Sequence, residues 1–341
     1  MSRRTGEWQN AGMIRAARGR TALALLAMIT LLAGCSSRET KGAEKLAGSE
    51  KAEPRTFASP AAAGAALLEA AQAGDQNALT AIFGPDSKEV LFSGDAVMDK
   101  NAGERFVAKY KEMHRWSKSN AGGEILYIGA DNLAFPIPLE EKSPGKWVFN
   151  IAAGKEEVLA RRIGNGELTT IGVLTEVANA QQEYFSQAHQ YAQKFLSTEG
   201  QHDGLYWPAA EGQRQSPLGP LGDVAQALGY SRSDKPQPFN GYYYHILTAQ
   251  GAKATGGAKD YLADGKLTGG FAVVAYPATY GDSGIMTFLV GTDGVIYQKD
   301  LGEKTGETAA AIKDYDPGDG WNVVLAPEAN PLPGTKAARK K

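Results

Sequence analysis

The hydrophobic positions along the chain fall into three textures. The first is a single unbroken apolar run, "TALALLAMITLL" (Thr21–Leu32), free of charge. At about a dozen residues it is too short for a membrane span, which needs roughly 20. Behind it, residues 36–56 are polar and charged with almost nothing to bury, which predicts a disordered tether. The second texture begins at Phe57 and has a helical period. Ser59-Pro60 reads as an N-cap followed by a first-turn proline, Gly74 as a helix stop and Asp75 as the cap of "QNALTAIF". Phe106, Tyr110, Met113 and Trp116 form a stripe that predicts a helix over about Asp99–Trp116. Three short strands are expected next, over Glu124–Ile128, Leu133–Leu139 and Lys146–Asn150. The two prolines of "FPIPL" place the middle one at an edge, and "SPGK" supplies a turn.

A long helical stretch then runs from about Lys155 to Leu196. It is expected to break near "GNGE" (Gly164–Glu167) and to carry Val173, Val177, Tyr184, Ala188, Tyr191 and Phe195 on or near one face. From Gly204 the third texture takes over. Glycine, proline and tyrosine increase, one short helix is predicted in "LGDVAQALGY" (Leu221–Tyr230), and β-prone runs alternate with turn signals at Asp264-Gly265, Gly281–Gly284 and Asp293-Gly294. The fold class is therefore α+β. An N-terminal helical module with a small antiparallel sheet, similar in outline to the NTF2-like cone, occupies residues 57–200. A C-terminal antiparallel β meander occupies 201–325, and 326–341 is a polar tail.

Composition changes the picture mainly at the N-terminus. Arg15, Arg18 and Arg20 precede the apolar run, and Leu32-Ala33-Gly34-Cys35 follows it. That arrangement predicts a lipoprotein signal over 1–34, whether translation starts at Met1 or Met13, with Cys35 as the lipid-attachment residue. Cys35 is also the only cysteine, so no internal disulfide exists. Cleavage there removes 34 of 341 residues and leaves 307; the loss of five arginines and one glutamate takes the formal charge from −2 to −6. A mildly acidic body argues against nucleic-acid binding. Ser36 after the cysteine favours the outer membrane over the inner, so the expected location is the periplasmic face of the bacterial cell envelope.

Candidate chemistry is sparse. Gly281-Asp282-Ser283-Gly284 spells the tetrapeptide around the nucleophile of trypsin-like proteases. A serine nucleophile also needs a base and an orienting acid. None of His114, His189, His202 and His245 lies in the small-residue context of that base, so a glycine-bounded turn with Asp282 or Ser283 capping its own backbone is the expectation. His202-Asp203, followed by Tyr206 and Trp207, would serve acid–base work or ligand contact, or form an interdomain turn. With Tyr243 and His245 these residues make up the candidate binding surface. Asp314, Asp316 and Asp319 are one residue out of step with a calcium loop and predict a solvated acidic turn. The tyrosines Tyr242–Tyr244, Tyr261, Tyr276, Tyr280 and Tyr297 are expected to pack across strands. No cofactor loop and no His/Cys metal set is present in the sequence, so no catalytic, cofactor or metal residue is assigned.

Several stretches, "FASPAAAGAALLEAAQAGD", "AAGKEEVLARRIGNGEL", "DGLYWPA", "GYYYHILTAQG" and "GGFAVVAYPATYGDSGIMTFLVGTDGVIYQKDLG" among them, resemble the bacterial family DUF2950 from about Phe57 to Leu301. The resemblance implies an exported or lipid-anchored envelope protein and brings no activity or catalytic residue with it. The C-terminal strands are also similar to the globular sheet of type IV pilins, although no long apolar N-terminal helix runs into the domain. The reading is a lipid-anchored envelope protein that binds or scaffolds, with the membrane and an envelope protein as partners. The alternative is an envelope hydrolase using His202/Asp203 or Ser283.

Overall fold

In the computed structural model, the structure describes residues 53–119, 122–210, 212–227, 230 and 237–324. Cys35, the signal, the tether up to residue 52 and the polar tail lie outside the described residues; residues 53–56, expected to be tether, are described, and the Arg55 N–H donates to the Ala81 carbonyl (2.9 Å), so order begins before Phe57. All the described residues belong to one compact unit. The N-terminal part starts with helices α1 (Pro60–Ala73), α2 (Gln76–Phe83), α3 (Lys88–Leu91) and α4 (Ala96–Glu112). The caps are those expected: Ser59 accepts from the Ala62 N–H, Gly74 closes α1 in the left-handed region, and Asp75 accepts from Asn77 and Ala78.

Strands β1 (His114–Lys118), β2 (Glu124–Ile128), β3 (Leu133–Ala134), β4 (Leu139–Ser143) and β5 (Lys146–Phe149) follow, in sheet order β1-β2-β4-β5 with β3 against β2. Two expectations need correction. The helix predicted over Asp99–Trp116 starts earlier, behind an Asp95 cap, and ends at Glu112. Met113 is extended, and Trp116 lies on β1 opposite Leu126. Trp116 still reaches the apolar cluster of Phe106 and Phe135, so the stripe identified packing partners and not a shared helix. The strand predicted over Leu133–Leu139 divides around Pro136 and Pro138, which have no N–H for a ladder.

Helix α5 (Ile151–Ala188) runs 38 residues without a break. The expected interruption at Gly164–Glu167 is absent because these residues are used for contact. Gly166 is buried, and a Cβ there would stand 2.6 Å from the Ser283 carbonyl oxygen. Glu167 accepts hydrogen bonds from the N–H groups of Ile285 and Met286, each at 3.0 Å. One turn earlier, Arg162 donates both to Asp282 and to the Val90 carbonyl. The helix ends at Ala188 and not at Leu196: His189 caps it in the left-handed region (φ 53°), after which Tyr191 donates its N–H to the Leu267 carbonyl.

The rest of the chain contains α6 (Gly219–Ala227), β6 (Tyr242–Leu247), β7 (Ala249–Gln250), β8 (Lys259–Asp260), β9 (Leu262–Ala263), β10 (Lys266–Leu267), β11 (Ala272–Pro277), β12 (Met286–Gly291), β13 (Ile296–Asp300), α7 (Thr305–Ala310), β14 (Asp314–Tyr315) and β15 (Asn322–Val323). The main sheet is antiparallel, in order β15-β13-β12-β11-β6. Asp264-Gly265 makes the β9–β10 turn with both residues at positive φ, and Gly294 takes positive φ between β12 and β13. The meander is not wholly antiparallel, since β14 pairs with β7 in parallel after the chain returns through α7. Every residue of β11 is buried. The larger core joins Val173, Leu174, Val177 and Tyr184 of α5 to Phe271–Tyr276 and Phe288–Val290, and so draws on residues from both sides of 197–205. Among the described residues no helix is long and apolar enough to cross a membrane.

The two glycines of the expected break should respond oppositely to alanine. Gly164 has open space around its Cβ position, so Gly164→Ala should stabilise by up to about 1 kcal/mol through helix propensity. Gly166→Ala should destabilise by about 1–3 kcal/mol because the clash is with backbone. Thermal or urea unfolding of the two variants measures both signs.

Candidate functional site

The protease-like tetrapeptide is the link between β11 and β12. Gly281 has φ 76°. Ser283 is 1% exposed, and its Oγ accepts from the Thr279 N–H (3.0 Å) while donating to the Thr279 carbonyl (3.2 Å). Gly284 lies where any Cβ would overlap the Tyr242 ring. Burial raises the Asp282 carboxyl, against the pull of its partner Arg162. Ser283 thus closes a turn under Gly241 and Gly166, where a substrate carbonyl has no approach.

A different place collects accessible chemistry. A cavity of about 970 Å³ opens between α5, the segment 195–208, α6 and β6. Its wall includes Val173 and Val177 from α5, Leu221 and Ala225 from α6, and Tyr244 from β6. The segment between α5 and α6 is held by its own backbone. Ser197 and Tyr206 bridge through the Ser197 N–H and Tyr206 carbonyl (2.8 Å), and Gly204 donates to the Ser197 Oγ (3.0 Å). A Cβ on Gly204 would stand 2.7 Å from the Ser197 nitrogen, and Gly222 lets α6 pack flat on the Tyr206 ring. These contacts fix the aromatic wall in the absence of regular secondary structure.

The structure brings together some of the residues singled out from sequence and separates others. His202, Tyr206 and Trp207 line the cavity. His202 stacks on Trp207 with ring centroids 4.3 Å apart and an interplanar angle of 22°. Asp203 does not pair with His202. Its carboxylate accepts from the Lys194 ammonium (2.6 Å), the Thr198 N–H (2.7 Å) and the Thr198 hydroxyl (2.9 Å), which hold it well below the usual carboxylate range. The adjacent pair is therefore a loop clamp beside an aromatic stack, and not an acid–base dyad. Tyr243 and His245 lie off the cavity. Strand alternation puts them with Tyr276, which stands 5.6 Å from Tyr243 by ring centroid and hydrogen-bonds His245 at 3.5 Å.

Tyr244, on the opposite face of β6, lines the cavity with Phe195, Leu218, Tyr230 and Phe239, none of which was singled out as a site residue. For Tyr244 the signal was present: the alternation that turns Tyr243 and His245 one way turns Tyr244 the other. Burial raises the phenols of Tyr206, Tyr230 and Tyr244, helped by Asp223 at Tyr206 and by Asp95 at Tyr230. All three stay neutral at physiological pH. The acidic turn shows a structural use, since Asp316 accepts from the Lys253 N–H and Asp319 pairs with the Lys253 ammonium. Among the described residues no three His, Cys, Asp or Glu side chains converge as a metal set.

Residues 54–324 match a family model described as "Protein of unknown function (DUF2950)". No curated protein and no solved structure matches the chain.

Because Asp203 titrates below its unfolded value of about 3.9, its stabilising contribution is present above that pH and is lost as the pH falls through and below it. Asp203→Asn should therefore lower the unfolding midpoint near neutrality, and the gap from the parent protein should close in acid. Melting curves across pH read the convergence; a gap constant with pH would contradict the clamp.

Proposed function

The chain belongs to the DUF2950 family, whose description assigns no function, and we propose that it is a lipid-anchored cell-envelope protein that works by holding a ligand in the aromatic cavity. The cavity is the observation that carries this reading. Its 970 Å³ is at the upper end of the range of about 300–1,000 Å³ typical of ligand sites, and it combines apolar walls with a few polar groups. The walls are fixed by backbone pairing and close glycine contacts, so a ligand meets a largely preformed surface at a reduced ordering cost. The envelope setting is supported by the basic n-region, the short apolar run and the Leu32-Ala33-Gly34-Cys35 sequence. Asp203 and Ser283 are both engaged in holding their own loops, which favours binding over the hydrolase alternative.

Two measurements test the parts separately. In cells fed a clickable palmitate analogue, the parent protein should take up label and Cys35→Ala should not; equal labelling of both overturns the anchor. Protein isolated from its own envelope should carry a non-covalent adduct in native mass spectrometry, and Ala225→Phe, which places a ring in the cavity, should lose most of it. A bare parent protein, or an adduct indifferent to the substitution, overturns the binding role.

A further inference from the structure

The hydrogen bonding of the cavity wall says what kind of ligand fits. The wall is rich in tyrosine and would pass for polar by composition, yet the protons of its phenols are already donated within the protein. Tyr244 donates to the Thr170 hydroxyl (3.3 Å) and Tyr206 to Asp223 (3.4 Å). Tyr230 donates to Asp95 (2.7 Å) and accepts from the Asn240 N–H (3.1 Å). The Trp207 indole N–H goes to the Arg214 carbonyl (3.2 Å). What these side chains offer to the cavity is ring surface, continuous with Val173, Val177 and Leu221. A ligand rich in hydroxyls would exchange water for partners already engaged, which is costly; a hydrocarbon chain loses nothing there and gains burial.

The mouth differs. Gln201, His202 and Gln226 are exposed lining residues whose side chains can both donate and accept or, for His202, do either according to tautomer. Among the described lining residues the one charged side chain is Glu199, and there is no lysine or arginine. Two cations stand nearby: the Lys194 ammonium is held by Asp203 and Thr198, and the Arg214 guanidinium lies over the Trp207 ring, 5.5 Å from its centroid, outside the lining. A negatively charged head would find a carboxylate and no counter-charge in this lining, whereas hydroxyls or amides would find glutamines.

We infer that the cavity takes one acyl chain bearing an uncharged polar head, the chain lying against the rings of Trp207, Tyr206 and Tyr244 and the head at Gln201, His202 and Gln226. This deepens the binding role proposed above and rests on it. Neutral monoacylglycerols, each used below its critical micelle concentration, provide the probe series, from octanoyl to palmitoyl. Binding is measured by equilibrium dialysis to the whole chain carrying Cys35→Ala, after delipidation, so that no covalent lipid of its own competes. Affinity should climb about fourfold for each added methylene and level off when the cavity is full. The matched fatty-acid anion should bind about tenfold more weakly for want of a counter-charge. In Ala225→Phe, checked for an unchanged melting curve, the plateau should arrive at a shorter chain; if that variant does not fold, the parent series still decides.

Affinity independent of chain length, or an anion that binds as tightly as the neutral ester, overturns the inference. A flat series alongside a ligand adduct on the envelope-derived protein would sink the acyl assignment and leave the binding role standing. A flat series with no adduct would remove both.

Discussion

One carboxylate holds the architecture in register. Glu167, midway along α5, accepts the N–H groups of Ile285 and Met286 at the point where β12 begins. Leaving two partly buried donors unpaired would be expensive, so the helix can take only one axial position on the sheet. Gly166 beside it allows the close approach, and Arg162 one turn away ties the same turn to the end of α3 through the Val90 carbonyl. Once α5 is set in this way, its later turns bring Val173 and Val177 over the sheet and form one wall of the cavity. The position of the cavity is thus fixed by hydrogen bonds made well away from it.

Much of the fold was legible in local chemistry. Ser59, Gly74 and Asp75 mark helix ends because a cap is a short-range hydrogen bond that sequence neighbours make by themselves. The Asp-Gly turns are legible for the same reason, since positive φ is a property of one or two residues. Fold class followed from the change of period near Gly204. What failed was any feature decided by a distant partner. Gly164 and Gly166 look like a helix break until the Ser283 carbonyl is placed against Gly166. Trp116 fits a helical stripe until Leu126 pairs with it across a strand.

The candidate site was half legible. His202, Tyr206 and Trp207 stood out as a polar pair next to aromatics, and they do line the cavity. Adjacency suggested that His202 and Asp203 work together, but consecutive residues in a turn point different ways, and Asp203 serves the Thr198 backbone instead. Phe195, Leu221 and Phe239 carry no mark of a cavity wall in the sequence, because an apolar side chain facing a cavity and one facing another side chain read alike there. GDSG was expected as a glycine-bounded turn with Ser283 capping its own backbone, and it is one: the Ser283 Oγ bonds the Thr279 N–H and carbonyl.

The sharing of α5 between two cores bears on how the molecule can be divided. At about 1.5 Å per residue the helix is nearly 60 Å long. Its first turns cover the small sheet through Ile151 and Val158, and its last turns cover the large one. A cut near residue 200, where the texture of the sequence changes, would leave each fragment with an exposed apolar face: the N-terminal piece would keep a helix whose lower half covers nothing, and the C-terminal piece would keep a sheet without its lid. The two cores are therefore not separable at the point where the sequence changes texture: each needs a part of the one helix.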